Sequence, residues 1–334
     1  MAKGWRAARR RILTPHVSAT RLETRGFPEK DPESRVLLET VGAMFLTGYG
    51  HVMEARDLAE AERSLDALPE RFQGFAYEGA GMACTMLDAL PGGGGGRFDS
   101  FLEGRGGAHV YTAYVGVGWA LARLPRPLWG RASAPDPLLR WLVLDGYGFH
   151  QAYFHTRRYV HEQHRDTVFP WPAHGSARYR ARAVDQGVGR ALWFVGGTHP
   201  DWVADLIDAY APERHEDLWA GTGLAATYAC GGSADELRRL RDRAGRHGPF
   251  LAQGSAFAAE ARARGGILNE HTALATQILC GMSPEEAAAV CLETKPETTG
   301  LETTGLETHD ELPAYEDWRQ RIAAFYAVRQ GTRP

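Results

Sequence analysis

A Gly-x-Gly pattern set inside helical text recurs seven times, and it constrains the fold more than any other feature of the chain. It reads Gly48-Tyr49-Gly50, Gly79-Ala80-Gly81, Gly116-Val117-Gly118, Gly146-Tyr147-Gly148, Gly187-Val188-Gly189, Gly221-Thr222-Gly223 and, weakened, Gly254-Ser255-Ala256. The steps between copies are 31, 37, 30, 41, 34 and 33 residues, the spacing of stacked helical units. A glycine inside a helix costs about 1 kcal/mol relative to alanine, so thirteen of them need an offsetting contact. Residues i and i+2 point about 200° apart on a helix. One glycine of each pair is therefore expected to face the preceding helix and the other the following one. Alanines four residues on, as in Gly79/Ala83, Gly116/Ala120 and Gly187/Ala191, extend each ridge along one face.

The expected fold is all-α: an αα-hairpin repeat array, tetratricopeptide-like and solenoidal, with an α/α toroid as the second architecture. The stretch Trp219 to Gly232 is similar to part of a tetratricopeptide hairpin, with Tyr228 in place and the Trp displaced by two residues. The motif triplet at 79, 116 and 146 recurs at 187, 221 and 254, which suggests a duplication of 70–175 as 176–282. Residues 1–33 read as a basic N-terminal segment containing Lys3, Arg6, Arg9, Arg10 and Arg11. It is expected to be a solvated helix or, with Trp5, a contact for an acidic partner or a membrane surface. Residues 34–292 form the helical-repeat region, including one long helix over 137–165. Asp136, His199 and Ser283 stand where caps of the following helices belong. Gly92 to Gly96 reads as a flexible loop without the pattern of a phosphate loop. Residues 293–312 carry a five-residue repeat with no possible core and read as a linker. Residues 313–330 read as an amphipathic helix that caps the array or docks to a partner.

The bulk numbers exclude several classes. With 334 residues, 44% of them hydrophobic, the chain can bury a large core. A net charge of -3 argues against a general nucleic-acid coat. Cys84, Cys230, Cys280 and Cys291 form no C-x-x-C pair; Cys84, Cys230 and Cys280, set in apolar helical text, read as core residues, which suits a reducing cytoplasm. No apolar run approaches a bilayer span.

Chemistry-bearing residues cluster beside the glycines. The residue before the first glycine runs Glu78, Val115, Asp145, Gln186, Ala220, Gln253. Equivalent positions would line one surface, where Glu78 and Asp145 are the candidate acid and base. Gln186 and Gln253, with Tyr49, Tyr77, Tyr147, His150 and Trp193, are candidate binding residues for an extended apolar ligand. Packing against a neighbouring helix accounts for the same residues. His150, His161 and His164 would share one face of the 137–165 helix. His161-Glu162-Gln163-His164 is one residue short of H-E-x-x-H, so no metal site is expected. No cofactor motif is present.

Several segments together resemble a known family. They include Arg9-Arg10-Arg11 and Arg25-Gly26-Phe27, then Gly74-Phe75-Ala76-Tyr77-Glu78-Gly79-Ala80 and Tyr114-Val115-Gly116-Val117-Gly118-Trp119-Ala120. Leu144-Asp145-Gly146-Tyr147-Gly148-Phe149-His150, Asp185-Gln186-Gly187-Val188-Gly189-Arg190 and His271-Thr272 before Cys280-Gly281 complete the set. Over about residues 5–292 the chain is similar to the UnbL-type bacterial family of enediyne antibiotic gene clusters. The resemblance implies a cytoplasmic pathway component that helps turn a linear polyene from a polyketide synthase into the enediyne core. It implies UnbV-like and membrane-bound UnbU-like partners, which could hold the protein at a membrane. It assigns no catalytic residues. A helical scaffold that binds protein only, and an acid/base enzyme on an α/α toroid, are the other readings.

Overall fold

A computed structural model describes residues 2–166, 169, 171, 176–297 and 312–331. Helix makes up 77% of it, and no strand occurs among the described residues. In chain order the helices are α1 (Ala2–Leu13), α2 (Leu22–Arg25), α3 (Pro32–Glu54), α4 (Leu58–Asp66), α5 (Glu70–Ala89), α6 (Arg97–Glu103), α7 (Val110–Arg123) and α8 (Trp141–Phe154). There follow α9 (Ala177–Val195), α10 (Pro200–Asp208), α11 (His215–Tyr228), α12 (Ala234–Ala244), α13 (Gly248–Arg264), α14 (Glu270–Leu279), α15 (Pro284–Thr294) and α16 (Ala314–Gln330).

The glycine-bearing helices form a row. Each packs on the next: α3 on α5, then α7, α8, α9, α11 and α13, with α15 and α16 against α13. Backbone meets backbone along the row, as the alternating glycines predict. A methyl built on Gly79 would overlap the Phe45 carbonyl of α3, and one on Gly81 the Ala113 carbonyl of α7. Gly116 meets Glu78 O, Gly118 meets Val143 O, Gly187 meets Asp145 O and Gly189 meets Leu218 O in the same way. The close approach offsets the low helix propensity of glycine by bringing many backbone atoms into van der Waals contact.

The first copy is in a different register from the one expected. Gly48 lies against Ala76 of α5, the following helix, whereas Gly50 faces only the side chain of Arg10 in α1. Gly48 therefore takes the place of a second glycine, and the equivalent triplet is Leu46-Thr47-Gly48. Nothing precedes α3 in the row except α1, so no first glycine is needed.

Short helices cover one side of the row; α10 packs on α12 and α12 on α14. The expected hairpins are not continuous: the described residues between α7 and α8 and between α8 and α9 contain no α-helix. The expected 137–165 helix also breaks. It begins at Trp141, after a turn in which Asp136 accepts from the Leu138 and Leu139 N–H groups, and it ends at Phe154. A single π turn, Arg157–His161, follows. The shared face of His150, His161 and His164 does not exist. Ser283 caps α15 in a reciprocal capping box with Glu286, but His199 makes no side-chain cap on α10.

Gly92, Gly94, Gly95 and Gly96 all have positive φ, which glycine alone adopts without strain. This lets the turn fold back so that Arg97 binds the Gly93 carbonyl and Asp88. Residues 298–311, most of the expected linker, lie outside the described residues. α16 has the expected core face: Tyr315, Trp318, Ile322 and Tyr326 are buried. Inside it Arg319 pairs with Glu316 and with Asp217 of α11, and Arg182 of α9 pairs with both acids. α3 is long and apolar enough to span a bilayer by composition, but Leu38, Val41 and Phe45 are buried against the other helices.

Candidate functional site

The row is curled, so that its early helices meet its late ones. Phe75 of α5 packs edge-on against Tyr228 of α11 at 5.2 Å. The Tyr111 hydroxyl of α7 donates to Glu260 of α13. Arg262 of α13 lies over the Tyr228 ring and donates to the Tyr228 carbonyl. At the start of the chain Lys30 binds the Gly231 carbonyl and Glu236, and the Tyr153 hydroxyl donates to the Thr20 carbonyl.

Two adjoining cavities lie inside this curl. The larger offers about 60 Å³ of space open to water-sized atoms. Its walls include Phe45, Phe75, Trp119, Phe149, Phe194 and Leu224. The smaller, about 50 Å³, lies among Tyr111, Leu142, Phe257, Tyr315 and Trp318. Arg190, Leu224 and Tyr228 line both. The partition between them is therefore made of side chains.

The Gly-x-Gly pattern marks the residues that face inward. From the second copy to the sixth, the residue after the second glycine is Met82, Trp119, Phe149, Arg190 and Leu224, and all five line the larger cavity, whereas Tyr49, the first copy's equivalent, does not. Phe257, after Ala256, lines the smaller. Each is four residues beyond the position before the first glycine, so Glu78 and Met82, or Asp145 and Phe149, share one helix face. Five of the six cavity-lining positions are apolar. Arg190 is the exception, and that contrast is visible in the sequence, although the sequence reading singles out Glu78, Asp145, Gln186 and Gln253 from the neighbouring column and not Arg190.

Arg190 organises the polar centre. Its Nη1 is paired with Asp145, while Nη2 lies 4.0 Å from Glu78 Oε1. All three residues are at least nine-tenths buried. Burial raises the Glu78 carboxyl to about 7; Arg190 opposes the rise and Asp145 adds to it. Burial also raises Asp145, though the paired guanidinium pulls back. For Arg190, burial alone would lower the guanidinium, but Asp145 and Glu78 more than reverse it. Glu78 is thus a carboxyl that can hold or release a proton near neutrality, the property a general acid or base needs.

The cavity wall also carries buried polar atoms without partners. The Trp119 indole N–H is turned toward the Glu78 carboxyl but closes no hydrogen bond of normal geometry. His150 Nδ1 and the Tyr228 hydroxyl have no partner either. The Tyr228 hydroxyl lodges against Gly74, where a side chain would collide with it. Burial holds the His150 imidazole down at about 3, helped by Arg123 and His155, so it is neutral.

Of the residues singled out by sequence, Glu78, Asp145 and His150 reach the cavities. The others are held elsewhere. Tyr77 donates to Asp66, Tyr147 to Asp166, and the Trp193 indole to the Cys230 carbonyl. Gln186 donates to the Tyr179 hydroxyl, Gln253 is buried in α13, and Tyr49 is buried in α3 with an unpartnered hydroxyl. His164 bonds Arg158 and Asp166 at the end of the π turn. Among the described residues no three of His, Cys, Asp and Glu converge as a metal-ligand set. All four cysteines are free and buried.

The fold and site define a protein that is all-helical among the described residues, with an apolar interior crossed by the buried Glu78–Arg190–Asp145 group. Residues 4–326 match the family model described as "Protein of unknown function (DUF1702)", and the chain belongs to that family. No curated protein and no solved structure matches the chain.

Proposed function

We propose that this protein holds an extended apolar chain in its interior and transfers protons to or from it through Glu78. We further propose that this is a step in maturing a linear, polyketide-derived polyene toward an enediyne core. The observation that supports the binding and proton-transfer reading is the placement of Glu78, a buried carboxyl near neutrality, in the wall of an apolar cavity beside Arg190. The resemblance to the UnbL-type family supports the pathway. A carboxyl in such a place can give a proton to one atom of a conjugated chain and, once ionised, take one from another. That shift needs no oxidant or reductant. Arg190, already matched by Asp145, would stabilise the ionised Glu78 between the two transfers. Architecturally, the curl is best read as a glycine-ridged repeat row wound toward an α/α toroid.

The reading is tested in a strain that carries the gene. Deletion should abolish the enediyne product and accumulate a linear polyene by mass spectrometry. The wild-type gene should restore product, and a folded Glu78→Gln protein should not. Restoration by Glu78→Gln would remove the proton-transfer role and favour a scaffold; unchanged product on deletion would end the pathway reading.

A second proposal concerns α1. Trp5 and Ile12 are 67% and 74% exposed and, seven residues apart, share one face. The helix has no acid in its first turn and carries Arg6, Arg9, Arg10 and Arg11. This face suits an anionic membrane surface, and it would bring the protein to membrane-bound UnbU-like partners, with UnbV-like proteins as further partners in a cytoplasmic assembly.

A further inference from the structure

We infer that the larger cavity recognises a neutral carbonyl oxygen carried on the apolar chain, seated among Trp119, His150 and Tyr228 beside Glu78. This deepens the proposed function and rests on its apolar-chain reading. Three observations carry it. First, the cavity wall is mostly aromatic and aliphatic, yet His150 Nδ1 and Tyr228 Oη, the latter lodged against Gly74, are buried without partners, and the Trp119 N–H has only the poorly aligned Glu78 carboxyl. A buried polar atom left unpaired is unfavourable, and two of these three, the indole and phenol groups, are hydrogen-bond donors. An acceptor supplied by a ligand would satisfy them, and the imidazole can donate from Nδ1 in one tautomer.

Second, the three side chains come from helices that the curl brings together. Trp119 and His150 meet edge to face at 5.4 Å, while Tyr228 approaches from α11 and packs on Phe75. Glu78 lies in the same wall, with the Trp119 N–H turned toward it. In its acid form Glu78 is a further donor.

Third, charge selects a neutral acceptor. Arg190 is paired with Asp145 and also faces Glu78. A carboxylate ligand would bring another negative charge into a dry space where the cation is already matched. A ketone, aldehyde or ester oxygen brings none. Arg123, exposed at the edge of the larger cavity, is the one lining cation where an anionic end could instead rest at the rim.

The test uses the full-length protein and three conjugated C18 tetraenes: methyl parinarate, free parinaric acid and the parent hydrocarbon, whose fluorescence rises in an apolar site. The ester is expected to bind at least about tenfold more tightly than the hydrocarbon, the scale of one or two added hydrogen bonds. Tyr228→Phe and Trp119→Phe, checked for unchanged circular dichroism, should each weaken the ester by roughly tenfold and weaken the hydrocarbon much less. Equal binding of ester and hydrocarbon would overturn the carbonyl inference while leaving the apolar-chain reading intact. Tightest binding by the acid, lost in Arg123→Gln, would overturn it in favour of an anion at the rim. Binding of none of the three would overturn both readings.

Discussion

Arg190 stands 4.0 Å from Glu78 across the interior, close enough to feel its charge and too far for a hydrogen bond. The same guanidinium is paired through Nη1 with Asp145. One acid of the pair is thereby tied to the guanidinium in an ion pair, and the other, raised to about 7 by burial, is left with a proton it can lose. That division of labour between two carboxyls on neighbouring faces is what the site offers to chemistry.

The pH dependence of stability follows from Glu78. Its folded value, about 7, lies above the ordinary 4.5. A carboxyl raised in this way contributes stability that is fully present below pH 4.5 and is lost as pH climbs through 7. Glu78→Gln should therefore match the parent at pH 4 and exceed it by about 3 kcal/mol at pH 8.5. Urea denaturation at the two pH values checks this; a variant weaker than the parent at pH 8.5 would contradict it.

His150 sets the acid side. Its imidazole is held at about 3, below the ordinary 6.5. The stability from keeping it neutral is complete above pH 6.5 and declines as pH falls toward 3. Between pH 7 and 5 this amounts to about 2 kcal/mol. His150→Leu should show a correspondingly smaller loss over the same interval, measured by thermal melts in matched buffers. His109 and His271, both held at about 4 by burial, will leave part of the acid limb in place.

Two glycine-to-alanine changes should behave oppositely. A methyl at Gly116 collides with the Glu78 carbonyl and the Met82 N–H, and overpacking against backbone costs about 2–3 kcal/mol. A methyl at Gly50 meets only the end of Arg10, whose Nε is 3.0 Å away. There the helix propensity of alanine should contribute up to about 1 kcal/mol of stability. Chemical denaturation of both variants separates the two cases; similar effects would mean that Gly50 and Gly116 are equivalent after all.

The buried cluster on α16 gives a fourth expectation. Arg319→Met leaves the two buried acids Glu316 and Asp217 sharing Arg182 and should cost about 3 kcal/mol. Adding Glu316→Leu should recover much of it, because Asp217 keeps Arg182. A double-mutant cycle on melting temperature reads the coupling.

For α1, vesicles containing anionic lipid should sediment with the parent protein, whereas Trp5→Asp/Ile12→Asp should stay in solution. Vesicles of neutral lipid alone should retain less of the parent. Equal sedimentation of parent and variant would assign any retention to the arginines.

Helix positions were legible because hydrophobic periodicity, Pro and Ser caps and the glycine pairs agree with one another along most of the chain. The facing of Gly79 and Gly81, or Gly187 and Gly189, followed from helix geometry alone. Gly50 misled because its neighbour is a flexible arginine from α1, and nothing local distinguishes that from a packed backbone. The break after Phe154 carries no Gly or Pro signal; His155 to His161 is a plausible helix by propensity, and tertiary packing decides otherwise. Glu78 and Asp145 were legible as a column, but their meeting on Arg190 depends on the curl of the row, which arises from many small rotations that no single segment encodes.

The glycine ridge has a consequence for how the chain is made. A helix carrying two interior glycines is a poor helix on its own, so α5 or α7 gains its stability only when its neighbour in the row has left the ribosome. Emergence is therefore stepwise, one ridge completing the last. The walls of the interior are closed by α11 and α13, through Tyr228, Glu260 and Arg262, and these arrive late. Until then Phe75, Trp119 and Phe149 face outward from a half-built curl. The nascent protein is most exposed to aggregation, and most in need of a chaperone, in the interval between synthesis of α8 and of α13.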